Sequence, residues 1–132
     1  MPAQQPLTAL IHNLVATTLR TGGATADIPR RQLLRPDDQW YFPRFPELTR
    51  ILPLTDLDTA FEAFISAHLT AFDDTVRFGA WINTADQTCY LDLITHAATA
   101  AQAAALARRY GRAAGRPVVA IYNPLRDLTT YL

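Results

Sequence analysis

Residues 24 to 54 read ATADIPRRQLLRPDDQWYFPRFPELTRILPL, with prolines at 29, 36, 43, 46 and 53. Proline locks φ and lacks the backbone N–H, so no long helix or central strand can run through this stretch. The expectation is an irregular wrap, relieved by one short helical turn at PELTRIL, with Pro46 at its start and Pro53 beyond its end. Long segments without regular structure inside compact domains are often binding loops. Here Arg30, Arg31, Arg35, Arg44 and Arg50 are interleaved with Trp40, Tyr41, Phe42 and Phe45. Arginine and aromatic side chains are the residues that anchor protein interfaces. Arg30, Arg31, Arg35, Trp40, Tyr41 and Arg44 are therefore the expected partner-binding residues. Asp37, Asp38 and Glu47 partly neutralise the arginines, which favours a protein partner over a phosphate backbone.

The rest of the composition bounds what such a chain can be. It has 132 residues, of which 49% are hydrophobic, enough for one domain to bury a core without staples. Twelve basic residues, all arginine, balance twelve acids, so no overall field draws in nucleic acid or an anionic membrane. Specific nucleic-acid binding is not expected. Cys89 is the only cysteine, which excludes an intramolecular disulfide and a multi-cysteine zinc site and suits a reducing cytoplasm. The opening MPAQQPLTALIHNLVATTLR lacks a basic leader and carries His12 and Asn13 in its apolar run, so it reads as an ordinary helix. No apolar run is long enough to span a membrane.

Helical spacing of Leu7, Leu10, Ile11, Leu14, Val15 and Leu19 predicts a helix over roughly residues 6 to 20, stopped by Gly22-Gly23. Leu57, Phe61, Phe64, Ile65, His68, Leu69 and Phe72 predict a second, with Thr55 and Asp58 as its capping box. Strict alternation in residues 76 to 82 and 89 to 93 predicts a hairpin with Phe78, Ala80, Ile82, Cys89, Leu91 and Leu93 on one face. On the other face Trp81 meets Tyr90. An alanine-rich helix capped by Thr99 and stopped by Gly115 follows, and PVVAIY returns as a third strand. The expected fold is α+β: two N-terminal helices, a Pro-rich wrap, then a ββαβ unit with a three-stranded mixed sheet. It forms one domain over 1-132, divided as 1-23 (helix 1), 24-54 (Pro-rich), 55-74 (helix 2) and 75-132. Strand order 2-1-3 is expected, with 1-2-3 as the alternative. The last helix is expected over the Phe78 face, and the second helix over Trp81 and Tyr90.

GAWINTADQTCYLDL, the helix around AAQAAALARRYGR, and VVAIYNPLRDL together resemble short uncharacterised proteins of high-GC bacteria and their phages and plasmids. The resemblance covers about the C-terminal two fifths of the chain. It implies a small α+β module and an accessory role in a mobile element, and transfers no site residue. Asn123-Pro124 departs from the Asp-Leu with which that pattern continues.

Few residues suggest chemistry. His12, His68 and His96 have no partner at metal-ligand spacing, and Ser66 lies in no nucleophile elbow. Cys89 faces inward in the expected hairpin register. Asp37-Asp38 and Asp73-Asp74 suit turn and cap roles. No metal and no cofactor is expected. The leading expectation is a non-catalytic, cytoplasmic protein-interaction or regulatory module, with self-association through an open sheet edge as a further route to a partner. The alternatives are nucleic-acid or planar-ligand binding through the arginine and aromatic surface, and a small-ligand enzyme around His96 and Asp92.

Overall fold

The computed structural model of the chain describes residues 5–132, so the first four residues of the N-terminal segment lie outside the described part. Residues 5–34 and Arg50–Leu91 belong to one compact unit, and Arg35–Thr49 with Asp92–Leu132 to a second.

In the first unit, helix α1 (Leu7–Thr21) buries Leu10, Ile11, Leu14 and Val15 of the stripe that its spacing predicts, whereas Leu7 is only half-buried and Leu19 is exposed. It ends where Gly22 takes a left-handed φ of 93° and gives its N–H to the Thr18 carbonyl at 2.8 Å. The chain then enters strand β1 (Gly23–Asp27), followed by β2 (Gln32–Leu33), β4 (Arg50–Pro53), helix α2 (Leu57–Ala67), β5 (Arg77–Asn83) and the first half of β6 (Thr88–Ala97). Strand β3 belongs to the second unit. Hydrogen-bonded neighbours run β2-β1-β5-β6, and β4 lies on the other side of β6. The N-cap of α2 falls one residue later than expected. Asp56 holds the N-cap in a left-handed conformation without a side-chain bond, so the Thr55 capping box does not form.

The aromatic stripe of α2 packs on the hairpin face opposite to the one expected. Phe61 meets the Phe78 ring at 5.3 Å and Phe64 meets it at 5.9 Å. Phe61 and Phe78 are wholly buried, together with Cys89 and Leu91. Covering one such aromatic is worth on the order of 2–3 kcal/mol.

The second unit contains β3 (Trp40–Pro43), the second half of β6, helix α3 (Ala100–Ala114), β7 (Ala120–Asn123) and β8 (Leu128–Tyr131). The strand neighbours are β6-β3-β7-β8, and every register pairing is antiparallel. Because β3 runs against both β6 and β7, those two are parallel to each other with β3 between them. The expected order 2-1-3 does not occur: β5 neighbours β6 as in the alternative 1-2-3, but β3 is inserted between β6 and β7. Helix α3 is capped as its sequence predicts, Thr99 Oγ1 accepting from the Gln102 N–H at 3.2 Å. Its apolar face rests on Trp40, Phe42 and Ile121 through Ala103 and Ala107. The sheet was expected to be three-stranded and mixed. The described residues form three α-helices and eight strands, and the two helices expected at the N-terminal side are two of those three. The physical reason is that the proline-rich segment is not a wrap: its prolines fall at strand ends and turns and leave room for short strands between them.

Candidate interaction surface

Four neighbouring strands of the first unit bring one residue each into a cross-strand row. Gly23 of β1 is opposite Trp81 of β5, and Ile51 of β4 is opposite Tyr90 of β6. The Trp81 and Tyr90 rings meet edge to face, 5.2 Å apart at 61°. Trp81 therefore does neighbour Tyr90, as the hairpin register predicts. Strand alternation puts this row on the face away from Phe78 and the helices. It was expected to be covered by α2 and is not: Trp81 is 43% exposed and Ile51 46%. Gly23 carries no side chain to shield that flank of the indole, and its place opposite Trp81 is tight, since a Cβ there would come within 3.0 Å of the Ala80 carbonyl oxygen.

The expected partner-binding residues are distributed differently. In the first unit, exposed Arg30 bonds Asp27 at 2.8 Å and Asp74 at 3.2 Å, and those carboxylates raise its already high pKa. Arg31 has a left-handed backbone and turns its guanidinium back onto the Ile28 carbonyl. In the second unit Arg35 is exposed, whereas Trp40 and Tyr41 are 7% and 8% exposed, too buried to serve as surface anchors without rearrangement. Arg44 lies over the Phe45 ring at 4.6 Å and the Tyr110 ring at 4.2 Å, a packing role for its charge.

A polar row crosses the second unit. His96 is opposite Tyr41, Tyr41 opposite Tyr122, and Tyr122 opposite Thr129. The Tyr41 hydroxyl donates to both Asp37 oxygens, at 2.9 and 3.1 Å, and His96 Nδ1 is 3.1 Å from Gln39 Oε1. Tyr122 donates to Asp127 at 2.8 Å, and burial followed by that carboxylate pushes its pKa up to about 12. Asp38 grips Arg126 through two bonds of 2.8 and 3.0 Å and accepts from Asn123 at 2.7 Å, which holds its own pKa below the usual carboxylate range. These bonds fasten the loop before β3 to the β7–β8 turn.

Asp92 and His96 share a face of β6, but four residues of strand separate them by roughly 13 Å. That is beyond proton-transfer reach. The Asp92 carboxylate accepts from the Thr49 hydroxyl, and Arg116 Nη1 bonds the Thr49 carbonyl at 3.2 Å. Burial outweighs both the hydrogen bond and the Arg116 charge and pushes Asp92 up to about 6. Elsewhere, His12 is exposed and 3.9 Å from Asp58, while His68 ends α2 with its ring 4.9 Å from Phe64. Cys89 is buried, with its thiol pushed up to about 11. Asp73 accepts from the Thr75 and Val76 N–H groups, the turn role its position suggests. A cleft of about 370 Å³ among Arg108, Gly111, Arg112, Gly115, Pro117 and Val118 has no carboxylate, histidine or nucleophile in its lining. Among the described residues no cluster of metal-ligating side chains occurs, and no helix is long and apolar enough to cross a membrane.

No family model matches the chain, and neither a curated protein nor a solved structure matches it.

Proposed function

We propose that the protein is a non-catalytic interaction module that docks a protein partner on the Trp81–Tyr90–Ile51 row. The observation that carries this reading is the 43% exposure of Trp81 on the strand face opposite Phe78, α1 and α2. A tryptophan offers up to roughly 250 Å² of surface, so covering the open part of Trp81 removes about 100 Å² from water. At about 25 cal/mol/Å² this is worth about 2.5 kcal/mol from one side chain. Ile51 and Tyr90 extend the contact along the row. Flat aromatic rows spanning several strands suit a protein surface, whereas small planar ligands are held in concave sites.

The test compares proteins retained from the lysate of the source cells by the native chain and by Trp81→Arg and Tyr90→Arg chains of matched thermal stability. A partner retained by the first and lost by both variants supports the reading. Its purified form should shift Trp81 emission to the blue in a Trp40→Phe background. Equal retention by all three chains refutes it, and quenching by dialysable aromatic compounds instead would install the planar-ligand alternative.

A further inference from the structure

Among the described residues, β2, β4 and β8 each have one edge without a neighbour in the hydrogen-bonded order. Open edges pair with other chains unless they are short, charged or broken by proline. Strand β2 is two residues long and follows Arg31, while β4 begins with Arg50 and ends with Pro53. Strand β8, Leu-Thr-Thr-Tyr, has neither charge nor proline. The charges beside it point back into its own unit, Arg126 onto Asp38 and Asp127 onto the Tyr122 hydroxyl. Leu128 is 48% exposed and Tyr131 77%.

The direction of the backbone groups specifies how this edge pairs. The Leu132 N–H bonds the Val119 carbonyl at 2.9 Å, and β8 is antiparallel to β7 with Thr130 opposite Ile121. Bonding residues alternate along such a ladder, so Leu128, Thr130 and Leu132 direct their backbone groups toward β7. Thr129 and Tyr131 then direct theirs outward. We propose that β8 pairs antiparallel with β8 of a second copy of this chain, on a two-fold axis at Thr130. Thr129 of each copy exchanges both backbone bonds with Tyr131 of the other, four bonds in all by that alternation. On one face the exposed Tyr131 covers Thr129 of the second copy. On the other, the exposed Leu128 comes beside Leu132, whose side chain packs partly against the Trp40, Phe42 and Ile121 core of its own copy. The occupant is a second copy because this register is self-complementary and sets no like charges against each other, which a two-fold interface must satisfy.

Sedimentation velocity over a wide concentration range should show the mass rising from 14.7 kDa toward twice that value. Thr129→Pro removes only an outward N–H and should give a monomer at every concentration with its melting temperature kept. Thr130→Lys and Thr130→Glu should each be monomeric alone and pair when mixed. In the proposed register the Thr130 pair has Cα atoms about 4.5 Å apart, within disulfide reach, whereas the two Thr129 positions are roughly 8 Å apart, outside it. Under mild oxidation Thr130→Cys should therefore give several-fold more covalent dimer than Thr129→Cys. A native chain that stays monomeric, a dimer that survives Thr129→Pro, or equal cross-linking at the two positions overturns the proposal. Should Thr129→Pro fail to fold, the comparison of the two cysteine variants decides alone.

Discussion

Replacing Asp92 by asparagine should stabilise the second unit at neutral pH. The carboxyl is pushed from its ordinary 3.8 to about 6 because burial disfavours the charged form, only partly offset by the Thr49 hydroxyl and the Arg116 charge. About two units of pKa correspond to about 3 kcal/mol between the protonation states. The residue keeps some contact with solvent, which brings the expected cost of ionising it in the folded state to about 2–3 kcal/mol. The folded pKa lies above the unfolded one, so the native state holds this proton more tightly. Its stabilising contribution is full below about pH 4, is lost as pH rises to about 6, and stays lost above that. Asparagine has the same shape, leaves an oxygen for Thr49 and never ionises. The difference in unfolding free energy between Asp92→Asn and the native chain should thus be near zero at pH 4 and about 2–3 kcal/mol in favour of the variant at pH 7. Urea titrations followed by Trp40 emission in a Trp81→Phe background, across that range, measure it within the second unit. A difference that stays flat with pH, or a variant weaker at pH 7 than at pH 4, would show that Arg116 outweighs burial and would refute the reasoning.

The two tryptophans should behave in opposite ways. Trp40→Ala should cost about 3–5 kcal/mol because the side chain is 7% exposed, whereas Trp81→Ala should cost about 1 kcal/mol, and thermal melts in both backgrounds check this. Gly111→Ala should destabilise by about 1–3 kcal/mol although alanine is the better helix former, because its Cβ would come within 3.0 Å of the Val118 backbone nitrogen; chemical denaturation gives the sign. Cys89, wholly buried with its thiol pushed up to about 11, should resist thiol reagents at pH 8 in the native state and react fully once unfolded in urea.

Elements whose pattern is local were legible in the residues. Helical spacing and glycine stops located α1 and α3 almost to the residue, and strict alternation located the β5–β6 hairpin and paired Trp81 with Tyr90. Strand β3 was not legible. Its Trp-Tyr-Phe run has no alternation because both of its faces are buried, Trp40 and Phe42 beneath α3 and Tyr41 in the hydrogen-bonded row with His96 and Tyr122. Strand β1, Gly-Ala-Thr-Ala-Asp, is too small and polar to signal a strand, and its ladder with β5 is what holds it. The tetrapeptide β8 is likewise defined by pairing with β7.

Which face each helix covers is decided by tertiary structure alone. The width and aromatic content of α2 show that it needs an apolar surface, and the hairpin presents two. Only when β1 pairs beside β5 does one face, with Phe78, Cys89 and Leu91 buried on it, become wide enough for both α1 and α2. The small face of α3, rich in alanine, finds instead the large side chains of β3, where small residues on one side and large ones on the other fill the space closely. Trp81 is left exposed by that outcome. Its neighbour across the strands is written in the hairpin's alternation, but its solvent exposure depends on packing choices made by segments far from it in sequence, which no local periodicity encodes.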